Sequence, residues 1–367
     1  MKILFLGDAS MAHYTLSLGL RKLGHESVVI SEKQRWRKFP QDIILDRKPG
    51  MWGSLKYLLQ VLLLLPKLRG YDIVQLVGPN FMALRKGRLR WIYDYLRRHN
   101  KRVIMTALGV DYYWVHGCCD LKLFEYSDFN VDSSDRREIS PYVRKLYEDW
   151  TMPENKEFNE YMARTCDAIV PVLFEYWQCY QQYWKDKTVF IPLPMIMEDN
   201  TPNDFRVGEK IRFFLGIQKS RSEYKGTDIM QKALEDVVAK YPEKAEFTVV
   251  ENMPYSEYVK TLEGYDVLLD QLYGYSPAMN ALLSMSKGLV CVGCGEPEHY
   301  QILGETELRP IVNVKPSYES VYKELENLIL HPERIPELKR QSVEYVRRHH
   351  HYITVARRYE EFYRSLF

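Results

Sequence analysis

Apolar residues in this chain come in short blocks that alternate between two periods. "KILFL" (residues 2–6) is a continuous apolar run of strand length, and the loop "GDASMAH" follows it. "YTLSLGLRKLGH" (14–25) then carries apolar residues at helical spacing and ends near Gly24, which suits the left-handed end of a helix. "ESVVIS" is the next strand. "GYDIVQLVG", "KRVIMTALG" and "CDAIVPVL" are further buried strands separated by helical patterns. Strands alternating with helices predict a parallel sheet covered on both faces.

The pattern breaks at "TVFIPLPMIMEDNTPND" (188–204), which holds three prolines and turn-forming Asn and Asp. It then restarts with a strand at 211–217, a helix at about 228–240, the strand "AEFTVV" and the helix "YSEYVKTLE". The strand "YDVLLDQ", the loop "LYGYSP", the helix "AMNALLSMS" and the strands "GLVCVG" and "RPIVNV" follow. Two more helical stretches end on the amphipathic "YITVARRYEEFYRSLF". The expectation is an α/β chain of two doubly wound, Rossmann-like domains facing across a cleft. An N-terminal domain spans 1–195, a C-terminal domain spans 205–350, and a last helix at 352–367 packs back on the first domain. Ligands of such sheets sit beyond the carboxyl ends of the strands.

Composition narrows this picture. The chain has 367 residues, 46% of them apolar, which is enough for two cores. No run of 18 apolar residues predicts a spanning helix, and the start reads as a strand rather than a signal peptide. The six cysteines form no disulfide framework, and "CVGC" (291–294) lacks a second pair or spaced histidines for zinc. They read as buried thiols in a reducing cytoplasm. No G-x-G-x-x-G follows the first strand, which argues against a nicotinamide dehydrogenase.

Charge is unevenly placed. Residues 1–105 hold 20 basic and 7 acidic residues, net +13, while the remainder is net −11. The basic clusters "EKQRWRKF", "PKLRG", "LRKGRLRW" and "YLRRHNKR" carry Trp36 and Trp91 and flank the apolar "YLLQVLLLLP". An anionic membrane surface is the expected partner of this half. Nucleic acid is not expected, because no recognition helix or aromatic sheet motif is present. "HHH" at 349–351 reads as a solvated face.

The candidate chemistry starts at "KSRSEYKGTD" (219–228), where Lys219, Arg221, Lys225 and Gly226 gather at the mouth of a helix. A helix N-terminus is already partly positive, so added cations there point to an anionic guest such as a phosphate.

Two stretches, "GIQKSRSEYKGTD…ALEDV" and "YSEYVKTLEGYDVLLDQLYGYSPAMNALLSMSKGLVCVG", resemble the C-terminal half of retaining GT-B glycosyltransferases of family four, closest to a polysaccharide-synthesis subgroup. The N-terminal half resembles them less closely, through "MKILFLGDAS…LRKLGHESVVIS" and "VIMTALGVD". The resemblance implies transfer of a sugar from a nucleotide-diphospho-sugar to a glycan or lipid-linked acceptor, without cofactor or metal, at the cytoplasmic face of a membrane. It implies that Lys225, with Lys219 or Arg221, stabilises the leaving diphosphate. Gly274, Tyr275 and Ser276 would cradle phosphate or donor sugar, and Glu251 and Asn252 would lie near base and ribose. Two departures stand out. The ribose-binding glutamate of the family falls on Asn280, and its partner eight residues earlier falls on Leu272, with Asp270 nearby. The family's T-x-H-G-x-D appears as "TALGVD", with Leu108 at the histidine position and Gly109 and Asp111 kept. Asp111 and His13 are the catalytic candidates, and Asp8 and His116 the acceptor-side ones. Asp111 also reads as a helix cap, and "GEPEH" (295–299) as donor-pocket lining or plain loop. The alternatives are a GT-B subunit that binds without turnover, or a GT-B sugar-nucleotide epimerase.

Overall fold

The computed structural model describes residues 1–33, 41–131, 134–197 and 205–367. The basic stretch around Trp36 and the linker residues 198–204 lie outside them. The strands in chain order are β1 (Lys2–Leu6), β2 (Glu26–Glu32), β3 (Ile43–Leu45), β4 (Ile73–Leu76), β5 (Arg102–Ala107), β6 (Asn130–Val131) and β7 (Ser134–Asp135). They continue with β8 (Ala168–Pro171), β9 (Ile211–Ile217), β10 (Ala245–Glu251), β11 (Val267–Leu269), β12 (Val290–Gly293) and β13 (Val312–Asn313).

The chain divides into two compact units. The first comprises Met1–Gly117, Glu148–Pro194 and Tyr352–Phe367, and the second Cys118–Tyr147 and Met195–His351. The sequence pattern puts 118–147 inside the N-terminal domain, whereas the structure groups it with the second unit. The reason is side-chain chemistry at a distance. Tyr126 donates to Glu296, Asp128 accepts from the Tyr224 hydroxyl, and Arg136 donates to the carbonyl of Glu223.

In the first unit six strands form one parallel sheet in the order β3-β2-β1-β4-β5-β8. Four of the five β1 residues are buried, and so is all of β4 and β8, as a sheet covered on both faces requires. The helix Ala12–Lys22 buries Leu16 and Leu20 on this sheet and ends at Leu23, with Gly24 following at φ 85°. The helix Tyr352–Ser365 lies against it. Gly19 permits the approach, since a Cβ there would stand 2.7 Å from the Cβ of Ala356. Val355, Ala356, Tyr359 and Tyr363 share one core with Ile3, Phe5, Leu20 and Ile104.

In the second unit five parallel strands run in the order β10-β9-β11-β12-β13. Phe213, Leu215, Met230, Leu234, Leu269 and Val292 form its core. The histidine run is not a solvated face. His349 and His350 are buried, and His349 Nε2 meets Glu305 Oε2 at 2.6 Å. Burial pushes the Glu305 carboxyl up, but the His349 bond and the amides of Leu308 and Glu307 outweigh it and hold the group down at about 2. A buried acid thus supplies the partner that draws His349 inward.

Candidate functional site

In each sheet the strand order reverses once, between β1 and β4 in the first unit and between β9 and β11 in the second. Crevices at such points are where doubly wound sheets take ligands. The candidate residues of the second unit sit at the carboxyl ends of β9, β10 and β11.

After β9 the chain makes a short turn at Lys219–Arg221, one helical turn at Ser222–Lys225, and then the helix Thr227–Lys240. Gly226 joins the last two at φ 72°, and a Cβ there would press on Leu272 Cδ1 at 2.8 Å. Only glycine fits such a position without strain. The three cations are not equivalent. Lys219 pairs with Glu251 across 2.6 Å, and its backbone N–H donates to Asn252 Oδ1. Asn252 itself takes φ 50° to reach this position. The guanidinium of Arg221 lies 4.9 Å from the ring centre of Tyr224. Lys225 is the cation that acts on Asp270.

Asp270 follows β11 and is buried. Burial pushes its carboxyl up, and the Lys225 charge and a hydrogen bond from Asn280 pull it part of the way back. Asn280, in the first turn of the helix Met279–Ser286, donates Nδ2 to Asp270 Oδ1 at 2.8 Å. The other oxygen of Asp270 is buried and has no hydrogen-bond partner among the described residues. The N–H of Leu272 donates to the Lys225 carbonyl at 3.0 Å, tying the two loops together.

Gly274 and Ser276 are buried on the loop before that helix. Tyr275 is spent on packing. Its ring stacks on Tyr126 at 5.0 Å, and its hydroxyl accepts from the Glu125 N–H. Glu296, in "GEPEH", is buried and accepts from Tyr126 at 2.5 Å and from Asn313 at 2.9 Å. Burial raises its carboxyl, yet these bonds and the Lys315 charge hold it below the usual range.

In the first unit Asp8 lies on the loop after β1, where Gly7, Ser10 and Met11 all take positive φ, and His13 lies in the first turn of the helix that follows. Strain in non-glycine residues at a strand end is a mark of functional loops. The Asp8 carboxylate accepts from the His13 and Tyr14 amides, and burial raises it to about 6. His13 is buried, with Nδ1 2.7 Å from the Gly7 carbonyl and Nε2 3.0 Å from Thr106 Oγ1. Burial drives it down to about 4, so the ring is neutral. Gln75 donates to Thr106, and Tyr363 donates to Gln75. A polar chain therefore runs from the last helix to the first loop. Asp111 accepts from the Trp114 amide at 2.9 Å, as a helix cap does, and from the Tyr180 hydroxyl at 2.6 Å. Burial lifts it to about 6. His116, four residues beyond Tyr112 on the same helix, meets the Tyr183 hydroxyl at 2.7 Å.

Sequence reading missed Arg136. It is buried, donates to the carbonyls of Asp128 and Glu223, and lies 3.4 Å from the centre of the Tyr273 ring. It thereby holds the turn that carries Lys225. No local pattern could have found it, since 87 residues separate it from Glu223.

No family model matches the sequence, and neither does any curated protein. Solved structures do match in three dimensions. The sucrose-phosphate synthase of Thermosynechococcus elongatus aligns with a TM-score of 0.63 at 12% identity, covering 100% of this chain and 99% of its own. The pneumococcal O-GlcNAc transferase GtfA, solved with UDP and GlcNAc, aligns at 0.62 and 9% identity, covering 100% and 99%. Anabaena HepE, solved with UDP and glucose, aligns at 0.59 and 12% identity over 100% of both chains. What these likenesses show is the fold: an α/β chain of two Rossmann-like domains of the GT-B type.

Proposed function

We propose that the protein is a metal-independent, retaining glycosyltransferase of cell-surface polysaccharide synthesis. The second unit would bind a nucleotide-diphospho-sugar, and the first a glycan or lipid-linked acceptor. The observation that carries this reading is the switch point between β9 and β11. There Lys225, Gly226 and the start of the helix Thr227–Lys240 adjoin the buried Asp270 and its half-buried partner Asn280. Lysine and helix N–H groups neutralise a leaving diphosphate where charge develops. Asn280 and Asp270 are the candidates for the ribose hydroxyls, with Asn252 and Glu251 beside the base. Gly274 and Ser276 line the sugar side. The crystals of HepE and GtfA with UDP make UDP the first nucleotide to test.

In this reading the bond from the anomeric carbon to the diphosphate oxygen breaks, and the acceptor oxygen bonds to the same face of that carbon. The acceptor proton passes to a phosphate oxygen. Asp111 and His13 act as positioning residues, with their polar atoms held by Tyr180, Trp114, Gly7 and Thr106. Asp8 and His116 stand on the acceptor side. The basic first unit works against anionic lipid at the inner face of the plasma membrane.

A second reading, a subunit that binds nucleotide or glycan without turnover, draws on Asn280 standing where the family carries glutamate. Thermal unfolding with UDP, GDP, ADP, dTDP and CMP tests both. Ligand at a hundred times its dissociation constant adds about 2.7 kcal/mol of stability. A shift with one nucleotide, abolished by Lys225→Ala, supports the donor site, and sugar transfer separates enzyme from binder. No shift with any nucleotide refutes the donor site and favours the second reading, with glycan as the ligand.

A further inference from the structure

The helix Gly50–Leu64 is covered on one side only. Tyr57, Val61 and Leu64 are buried, while Met51, Trp52, Leu55, Leu59, Leu62 and Leu63 are exposed, the first two at 78% each. At the α-helical repeat these six side chains fall within about 120° of arc, forming one stripe roughly 18 Å long. Lys56 is the single charge on the helix. An apolar stripe of this size on a folded surface marks an interaction site.

Arginines stand beside it. A hollow of about 440 Å³ is lined by Met51, Leu55 and Leu58 on the helix and by Arg47, Arg85 and Arg88 next to it. Its frame is tied down. Tyr57 donates to Glu32 at 2.7 Å, Glu32 also accepts the Ala83 N–H, and Arg47 donates to the Ala83 carbonyl. The Arg47 guanidinium is thus held next to an apolar surface, with the exposed Arg85 and Arg88 lining the same hollow, in a half of the chain with net charge +13.

We propose that the helix Gly50–Leu64 lies in the plane of an anionic lipid bilayer. Its stripe enters the acyl region, and the hollow takes a lipid phosphate between Arg47, Arg85 and Arg88. This deepens the membrane contact of the preceding reading by naming the element that makes it. At fifteen residues the helix is too short to span a bilayer and suits the interface. Arginine favours phosphate through its planar fork of donors. A second copy of the chain or a neutral apolar partner would cover the stripe but leave the arginines without counter-charge.

The test is co-sedimentation of the full chain with phosphatidylcholine vesicles and with phosphatidylcholine–phosphatidylglycerol vesicles, at low and high salt. The expected result is binding to the anionic vesicles alone. The pair Leu59→Ser/Leu63→Ser abolishes it, and Arg85→Gln/Arg88→Gln weakens it about tenfold or more at low salt. The substituted residues are exposed, so unchanged unfolding transitions confirm that both variants fold. Wild-type binding that both variants retain in full overturns the assignment of this face while leaving membrane contact by the basic half standing. Absence of binding to anionic vesicles overturns both. A dimer that the leucine variant makes monomeric, without vesicle binding, assigns the stripe to a second copy and overturns the proposal. The nucleotide-induced shift in unfolding reads the donor site separately from all three outcomes.

Discussion

The side chain of Asn280 donates to Asp270 across 2.8 Å, so the amide that stands where a charged acid is expected serves a buried acid ten residues away. Two carboxylates at this distance would repel, and burial already pushes Asp270 up. Asn280→Asp should therefore cost at least about 2 kcal/mol at neutral pH and recover as acid protonates the pair. Urea unfolding at neutral and mildly acidic pH reads this. Equal losses at both would show that the two groups are not coupled.

Gly226 joins two helical segments at φ 72°. Gly226→Ala forces a β-carbon against Leu272 in a left-handed conformation, for a cost of about 1–3 kcal/mol. It also displaces Lys225, so any nucleotide-induced shift in unfolding should shrink with it. A variant as stable as wild type would contradict the strained turn.

Arg136 bonds carbonyl groups on two separate segments. Arg136→Ala should cost about 2–3 kcal/mol, because charged donors to buried carbonyls are among the stronger hydrogen bonds. It should also expose the 118–147 segment to limited proteolysis. An unchanged cleavage pattern would mean that Tyr126 and Tyr224 hold the segment without it.

The pH dependence near the first loop has two opposing parts. His13 is lowered from 6.5 to about 4 in the fold. The stability tied to its neutral form is complete above 6.5 and is lost as pH falls through about 4. Asp8 and Asp111 are raised from 3.8 to about 6. The stability tied to their protonated forms is complete below 3.8 and is lost as pH rises through about 6. His13→Gln removes the first part, so the variant should gain stability relative to wild type as pH falls from 6.5 to 4, by roughly 3 kcal/mol at the lower end. Denaturant midpoints across that window test it, and parallel curves would rule it out.

What was legible in the sequence was local. The run "IRFFLGI" is β9, and the helix after Lys225-Gly226 begins at Thr227, one residue from where periodicity put it. Gly24 ends the first helix as its position suggested. These features are written in neighbours three or four residues apart. The 118–147 segment was illegible because Tyr126, Asp128 and Arg136 carry no period and find partners 87 to 170 residues away. The same limit hid the fate of the histidine run, whose partner Glu305 lies 44 residues earlier. In the candidate site, the residue types at 219–226 were readable, but their division of labour was not. That Lys219 would pair with Glu251, and that the Lys225 charge would pull down the Asp270 carboxyl, depends on which strand ends become neighbours.

The helix Tyr352–Ser365 fills the core beside β1 with Val355, Ala356, Tyr359 and Tyr363. Translation reaches this helix more than three hundred residues after β1. The opening sheet must therefore wait, with part of its apolar face uncovered, until the whole second unit has been translated. That interval is when chaperones have the most to hold. It also means that a premature stop before residue 352 leaves the first sheet without part of its cover.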